Sequence, residues 1–230
     1  MAHEVVSREE WLEARKALLA KEREMTHALD ALRAERRALP WVRIDEDYVF
    51  EGPEGAVGLG ALFRGRSQLA IYHFMLAPGS DHICPGCSLL MDHVDAARRH
   101  FEQADLAFAA VSRAPIARIE AVKARMGWRF PWVSSGGSAF NHDFGVYFID
   151  EERAEGRAIY NYGTLIERSP DMFGVSIFVT DETGAIFHAY STYHRGVELL
   201  IGAFAWLDLA PKGRNEAAGT MSWVRLHDEY

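Results

Sequence analysis

Hydrophobic and polar positions change rhythm along this chain. From Ser7 to about Ala38 the sequence is charge-dense and free of Gly and Pro, with Trp11, Leu18, Met25, Leu32 and Leu39 recurring every seven residues. That spacing predicts one long helix. Glu10 stands three residues after Ser7, the capping-box pattern for a helix start. The companion positions Ala14, Lys21, Ala28 and Glu35 are poor partners for a coiled-coil seam, so a long coiled coil is not supported. Residues 1–39 read as a helical arm. Its narrow apolar face packs on its own domain or on a second subunit, which would make a homodimer, or it docks a separate partner.

From Pro40 the pattern turns to strands, and residues 40–230 read as one domain. "WVRIDEDYVF" is followed by "EGPEGAVGLGALF", whose glycines at 52, 55, 58 and 60 fit no dinucleotide or phosphate-loop fingerprint and are expected in turns. "LAIYHFML" is a continuous apolar run, as in a strand buried on both faces. After the loop "APGSDHI" come two cysteines, then Leu89, Leu90, Val94, Ala97 and Phe101 at helical spacing. "DLAFAAVSR" and "APIARIEAVKARMGW" repeat the alternation of strand and helix. Strand, helix, strand and helix with short links predict a parallel pair with a right-handed crossover, hence an α/β fold.

Composition narrows the function classes. With 230 residues, 49% apolar and 25% charged, the chain suits one sizeable domain with an appendage. A formal charge of −8 without long like-charge blocks argues against nucleic acid and anionic membranes as partners. No apolar run of about eighteen residues exists, and the start "MAHEVVSREEWLEARK" is acidic and helical, so a cytoplasmic location is expected. There, a close cysteine pair is more often catalytic or metal-binding than structural.

Cys84 and Cys87, in "DHICPGCSLLMDHV", are the only cysteines. Random placement would give this spacing about one time in a hundred. The pair falls where a strand hands over to a helix, with Pro85 in the first turn. Free backbone N–H groups and the positive end of the helix dipole then stabilise a Cys84 thiolate, while Cys87 sits nearly one turn further in on the same face. This arrangement predicts a thiol–disulfide oxidoreductase in which Cys84 attacks and Cys87 resolves, with no cofactor beyond a disulfide or dithiol substrate and an external thiol reductant. Two alternatives stand beside it. One is a binding or redox-sensing module without turnover. The other is a zinc site drawn from His82, Cys84, Cys87 and His93, which lacks the usual separation between ligand pairs.

The segments "YHFM", "CPGCS", "VSRAP", "RMGWRFPWVSS", "FNHDFGV", "FHAYSTYHRG" and "LDLAPKGRNE" carry a resemblance. The chain resembles, from about residue 7 onward, a bacterial thioredoxin-like family of predicted dithiol-disulfide oxidoreductases, otherwise a domain of unknown function. The resemblance implies a thioredoxin-like fold: a central mixed sheet flanked by helices, ending in a hairpin and a helix. The length of the segment at about 128–173 suggests an insertion before the final hairpin, the candidate cover for the cysteines.

Thioredoxins carry a cis-proline before the strand facing the cysteines. Here that stretch offers Gly174, Val175 and Ser176, so Val175 is the expected substrate contact. By the same alignment His73 takes the place of the buried carboxylate that accepts a proton from the resolving cysteine. Peroxiredoxins instead use a Thr-x-x-Cys nucleophile pattern, and position 81 is Asp.

Six further candidates complete the set. His82 would pair with the Cys84 thiolate. Arg113, at the carboxyl end of the second strand, would meet an anionic substrate. Trp132 and Asp143, with Asn141 and His142, lie in the insertion.

Overall fold

The computed structural model describes residues 3–230. The chain divides into two compact units at Pro40. The first unit carries α1 (Arg8–Arg37), whose start is fixed by a reciprocal cap: Glu10 N–H donates to Ser7 Oγ at 3.2 Å and Ser7 N–H to the Glu10 carboxylate at 3.0 Å.

The second unit begins with β1 (Val42–Arg43) and the hairpin β2 (Val49–Gly52) and β3 (Gly55–Gly58). Gly52 pairs with Gly55 across the two-residue turn, and Gly55 adopts φ +119° there. The alternation read from "LAIYHFML" onward appears as β4 (Gln68–His73), α2 (Pro85–Gln103), β5 (Leu106–Ser112) and α3 (Ile116–Met126). α3 ends where Gly127 takes up φ +66°, the left-handed conformation of a helix stop. Then follow β6 (Trp132–Ser134), α4 (Phe140–Asp143), α5 (Asp150–Ala154) and the small pair β7 (Ile159–Tyr160) with β8 (Leu165–Ile166). The hairpin β9 (Gly174–Thr180) and β10 (Ile186–Tyr193) and the helix α6 (Gly202–Leu209) close the order.

The main sheet runs β1-β10-β9-β4-β5-β6-β2-β3. β4 is parallel to β5 and antiparallel to β9. A βαβ unit joined in one sheet to a C-terminal antiparallel hairpin, with the cysteine motif opening the first helix, is the thioredoxin-like arrangement. Both faces of the sheet are buried. Ala70, Tyr72, Phe74, Phe108, Ala110 and Val175 meet α2 and α3 on one face. Leu69, Ile71, Ala109, Val111 and Phe178 meet Phe140 and Phe144 on the other.

Because strand side chains alternate, neighbours in β4 belong to different cores. The segment 128–173 therefore divides. Trp128, Phe130 and Trp132 are in the core that holds the cysteines, whereas Phe140 and Phe144 cover the opposite face. The expected cover for the cysteines does not come from the middle of this segment.

Candidate active site

Cys84 is the N-cap of α2 and Pro85 its first residue, where a missing N–H costs nothing. The Cys84 sulfur accepts the Cys87 N–H at 3.2 Å, and the Cys84 carbonyl takes both the Ser88 N–H (3.0 Å) and the Ser88 hydroxyl (2.9 Å). No acidic residue stands in the first turn of α2 to oppose the dipole.

The two sulfurs are unequal. Both are free thiols, but Cys84 is half-buried and Cys87 is 2% exposed. The Cys84 thiol is lowered from its ordinary value, chiefly by hydrogen bonding from the Cys87 thiol, with the Cys87 and Gly86 amides helping and burial opposing. The Cys87 thiol is pushed well up, first by burial and then by its bond to Cys84 and the charge there. The Tyr72 hydroxyl, from β4, hydrogen-bonds the Cys87 sulfur and works against that rise, as does the Met75 amide. Tyr72 is 1% exposed, and its own hydroxyl is pushed well above the usual range, mainly by burial.

A cavity of about 170 Å³ opens beside the sulfurs. Phe173, Val197, Ile201 and Met221 wall it, with the Tyr72 ring behind. Tyr160 joins two of these walls, because its hydroxyl donates to the Phe173 carbonyl and accepts the His194 N–H (2.9 Å) at the start of the 3-10 turn His194–Leu200. The ten-residue loop between His73 and Cys84 is held by a bond from Ala114 N–H to the Leu76 carbonyl (2.9 Å) and from Arg118 to the Asp81 carbonyl (3.0 Å).

Several expected site residues lie elsewhere. His73 faces away from the cysteines: its Nε2 meets Ser176 Oγ at 2.9 Å and its ring stacks on Phe140 and Phe144 (centroids 5.4 and 6.0 Å). Strand alternation puts Tyr72, not His73, beside Cys87. Burial, with His188 nearby, pushes the His73 imidazole down to about 3, so it is neutral and structural.

His82 is exposed, and the groups that lower the Cys84 thiol come from Cys87 and Gly86. Arg113 is already matched. Its guanidinium holds Asp171 through two bonds (2.7 and 2.9 Å) and lies 3.5 Å from the Tyr147 ring centroid, so its charge is already paired.

Trp132 is 1% exposed and donates its ring N–H to Ser112 Oγ at 3.0 Å, a core role. Asp143 accepts the Tyr48 hydroxyl at 2.7 Å, Asn141 accepts the Ser135 hydroxyl at 2.9 Å and His142 meets Glu152 at 3.2 Å, all away from the sulfurs. Val175 pairs in register with Tyr72 and lines a separate apolar cavity along α2, so the residue of this segment that meets the cysteines is Phe173.

Among the described residues no group of three or more His, Cys, Asp or Glu side chains is placed to hold a metal ion. His93, the last ligand of the zinc alternative, has its ring engaged by the Leu89 carbonyl (2.6 Å) and the Ala203 N–H (2.9 Å). No helix among the described residues is long and apolar enough to cross a membrane.

The sequence matches, over residues 1–230, the family described as "Bacterial protein of unknown function (DUF899)". The chain belongs to this family. No curated protein matches it. Among solved structures, the DUF899 chain is similar to peroxidoxin BcpB from Mycobacterium tuberculosis, at 14% identity and a TM-score of 0.46 over 71% of this chain and 93% of that one. It is also similar to a bacterioferritin comigratory protein of Xanthomonas campestris (18% identity, TM-score 0.47, 73% and 98% covered). A third is a mitochondrial 2-cys peroxiredoxin from Plasmodium falciparum (16% identity, TM-score 0.44, 74% and 95% covered). Likeness at that level identifies neither chemistry nor substrate for the DUF899 chain.

Proposed function

We propose that this protein is a thiol–disulfide oxidoreductase working through Cys84 and Cys87. The observation that carries the reading is the inequality of the two sulfurs: a partly buried, helix-capping Cys84 with a lowered thiol, and a fully buried Cys87 with a raised one. In the reducing direction the Cys84 thiolate attacks one sulfur of a substrate disulfide. A Cys84–substrate disulfide forms, the substrate S–S bond breaks, and one substrate thiolate leaves. Cys87 then loses its proton and attacks the Cys84 sulfur, so that the intramolecular disulfide forms and the second substrate thiolate departs. The two protons of the dithiol finish on the two substrate thiols. An external dithiol, by the same exchange run backwards, restores the pair.

Tyr72 supports the second step. Its hydroxyl favours the charged form of Cys87, the form that must appear when the mixed disulfide is resolved. This differs from the role expected of His73: the Tyr72 hydroxyl, kept protonated by burial, donates a hydrogen bond to the resolving sulfur rather than accepting its proton.

The test is the reduction potential of the pair, measured in glutathione buffers with metal assayed on the same sample. A metal-free, reversible two-electron transition between about −270 and −120 mV is expected, the span of thioredoxin-fold catalysts. Cys84→Ser should abolish exchange and Cys87→Ser should accumulate mixed disulfides. Equal loss in both variants without trapped species, or stoichiometric zinc, would overturn the assignment.

A further inference from the structure

The cysteines are covered by the C-terminal segment. Val224 and Leu226 are 3% and 4% exposed, His227 Nδ1 lies 2.7 Å from the same Asp92 oxygen that accepts the Trp128 ring N–H, and Arg125 binds Asp228 (2.7 Å) and Glu229 (2.9 Å). On the other side of this anchored stretch, Met221 N–H donates to Glu216 at 2.7 Å. Met221 itself adopts φ +56°, a conformation that costs a residue with a Cβ and persists only when its surroundings impose it. Its sulfur lies directly over the motif: a Cβ on Gly86 would stand 3.0 Å from Met221 Sδ. The glycine of the cysteine motif thus makes room for the methionine.

What remains beside the sulfurs is the cavity of about 170 Å³, walled by Phe173, Val197, Ile201 and Met221 and bearing no charged residue. An apolar cavity of about 150 Å³ takes one benzene ring. We propose that Met221 closes the attacking face and sets the substrate class: a small, uncharged organic disulfide carrying one ring-sized apolar group, with extended protein disulfides and charged peptides shut out. The proposal rests on the oxidoreductase reading above. The apolar group fills the pocket, its sulfur meets Cys84, and the exchange proceeds as already written, with the leaving thiolate passing out past Met221.

The experiment follows single-turnover loss of the two thiols of the prereduced full chain. The probes are bis(4-nitrophenyl) disulfide, its ring-carboxylated analogue 5,5′-dithiobis(2-nitrobenzoate), and insulin, each rate divided by that with free dithiothreitol. The wild type should prefer the uncharged probe by ~10-fold or more, the scale on which an apolar pocket discriminates. Met221→Gly, which suits the positive φ, should raise the rates with insulin and the carboxylated probe by ~10-fold relative to the rate with the uncharged probe, so that the wild-type preference disappears. Met221→Leu, which keeps the apolar wall, should retain the wild-type ranking, and thermal melts of both variants confirm folding. Equal normalised rates for all three probes in the wild type, or a folded Met221→Gly protein with unchanged ratios, would overturn the proposal and leave the oxidoreductase intact. Failure of all three probes to oxidise the dithiol would instead remove the oxidoreductase reading, and this proposal with it.

Discussion

Tyr72 and His73 are neighbours in β4, yet they belong to opposite faces of the central sheet and to different chemistry. Tyr72 looks toward α2, where its hydroxyl meets the Cys87 sulfur beside a cavity. His73 looks toward Phe140 and Phe144, in a packed layer where Ser176 Oγ is its partner and Ser191 Oγ lies 2.8 Å further on. Both side chains are almost wholly buried, and both titrate far from their ordinary range. A perturbed pKa therefore does not separate a working group from a structural one. The separation comes from what each side chain touches: a nucleophile on one face, aromatic rings and serines on the other.

The largest effect that tests this contrast is on stability. Unfolded, His73 binds a proton near 6.5; folded, it does so only at about 3. Its contribution is fully present above pH 6.5 and is lost as pH falls toward about 3, the complete loss amounting to at most ~5 kcal/mol. Urea midpoints at pH 7 and pH 4 should diverge more for the wild type than for His73→Phe, which keeps the stacking and leaves Ser176 its bond to Ser191. Parallel losses would mean that His188, also lowered by burial, or the carboxylates carry the acid sensitivity. Exchange activity at pH 7 should change less than ~3-fold in this variant, as expected for a group remote from the reacting atoms.

On the other face, Tyr72→Phe should slow resolution of the Cys84 mixed disulfide by ~10-fold, about 1.4 kcal/mol, the scale of one hydrogen bond to a charged sulfur. Stopped-flow release of the second substrate thiol reads it. Alkylation of Cys84 should be nearly unaffected, and equal slowing of both steps would return Tyr72 to a packing role. The smallest effect is expected at Trp132, on the cysteine face but bonded only to Ser112. Trp132→Phe should cost ~1 kcal/mol in a denaturation curve and leave the reduction potential where it is.

The sequence carried the alternation of β4, α2, β5 and α3 plainly, because periodicity and the Cys-Pro start are local signals. It also carried the unequal exposure of Cys84 and Cys87, because one caps the helix and the other lies nearly a turn inside it. The faces of β4 were not legible, since "LAIYHFML" is apolar throughout and a strand buried on both sides shows no alternation to orient it. The displacement from Val175 to Phe173 has the same origin: which residue meets the sulfurs depends on where β9 begins and how it registers on β4. Arg113 was placed correctly at a strand end, but its partner Asp171 lies 58 positions on. The walls Val197, Ile201 and Met221 are more than a hundred residues from Cys87 and carry no motif of their own.

The loop after β4 has a practical consequence. Its two anchors, at Leu76 and Asp81, fix the approach to Cys84, while Pro78 and Gly79 between them are exposed. Closing a longer loop costs only about 0.6 kcal/mol for each doubling of its length. Residues added between Pro78 and Gly79 would then hang outside the anchored ends, so this tip can accept a fluorophore or an affinity handle as a built-in reporter, a few residues from the dithiol and without displacing it.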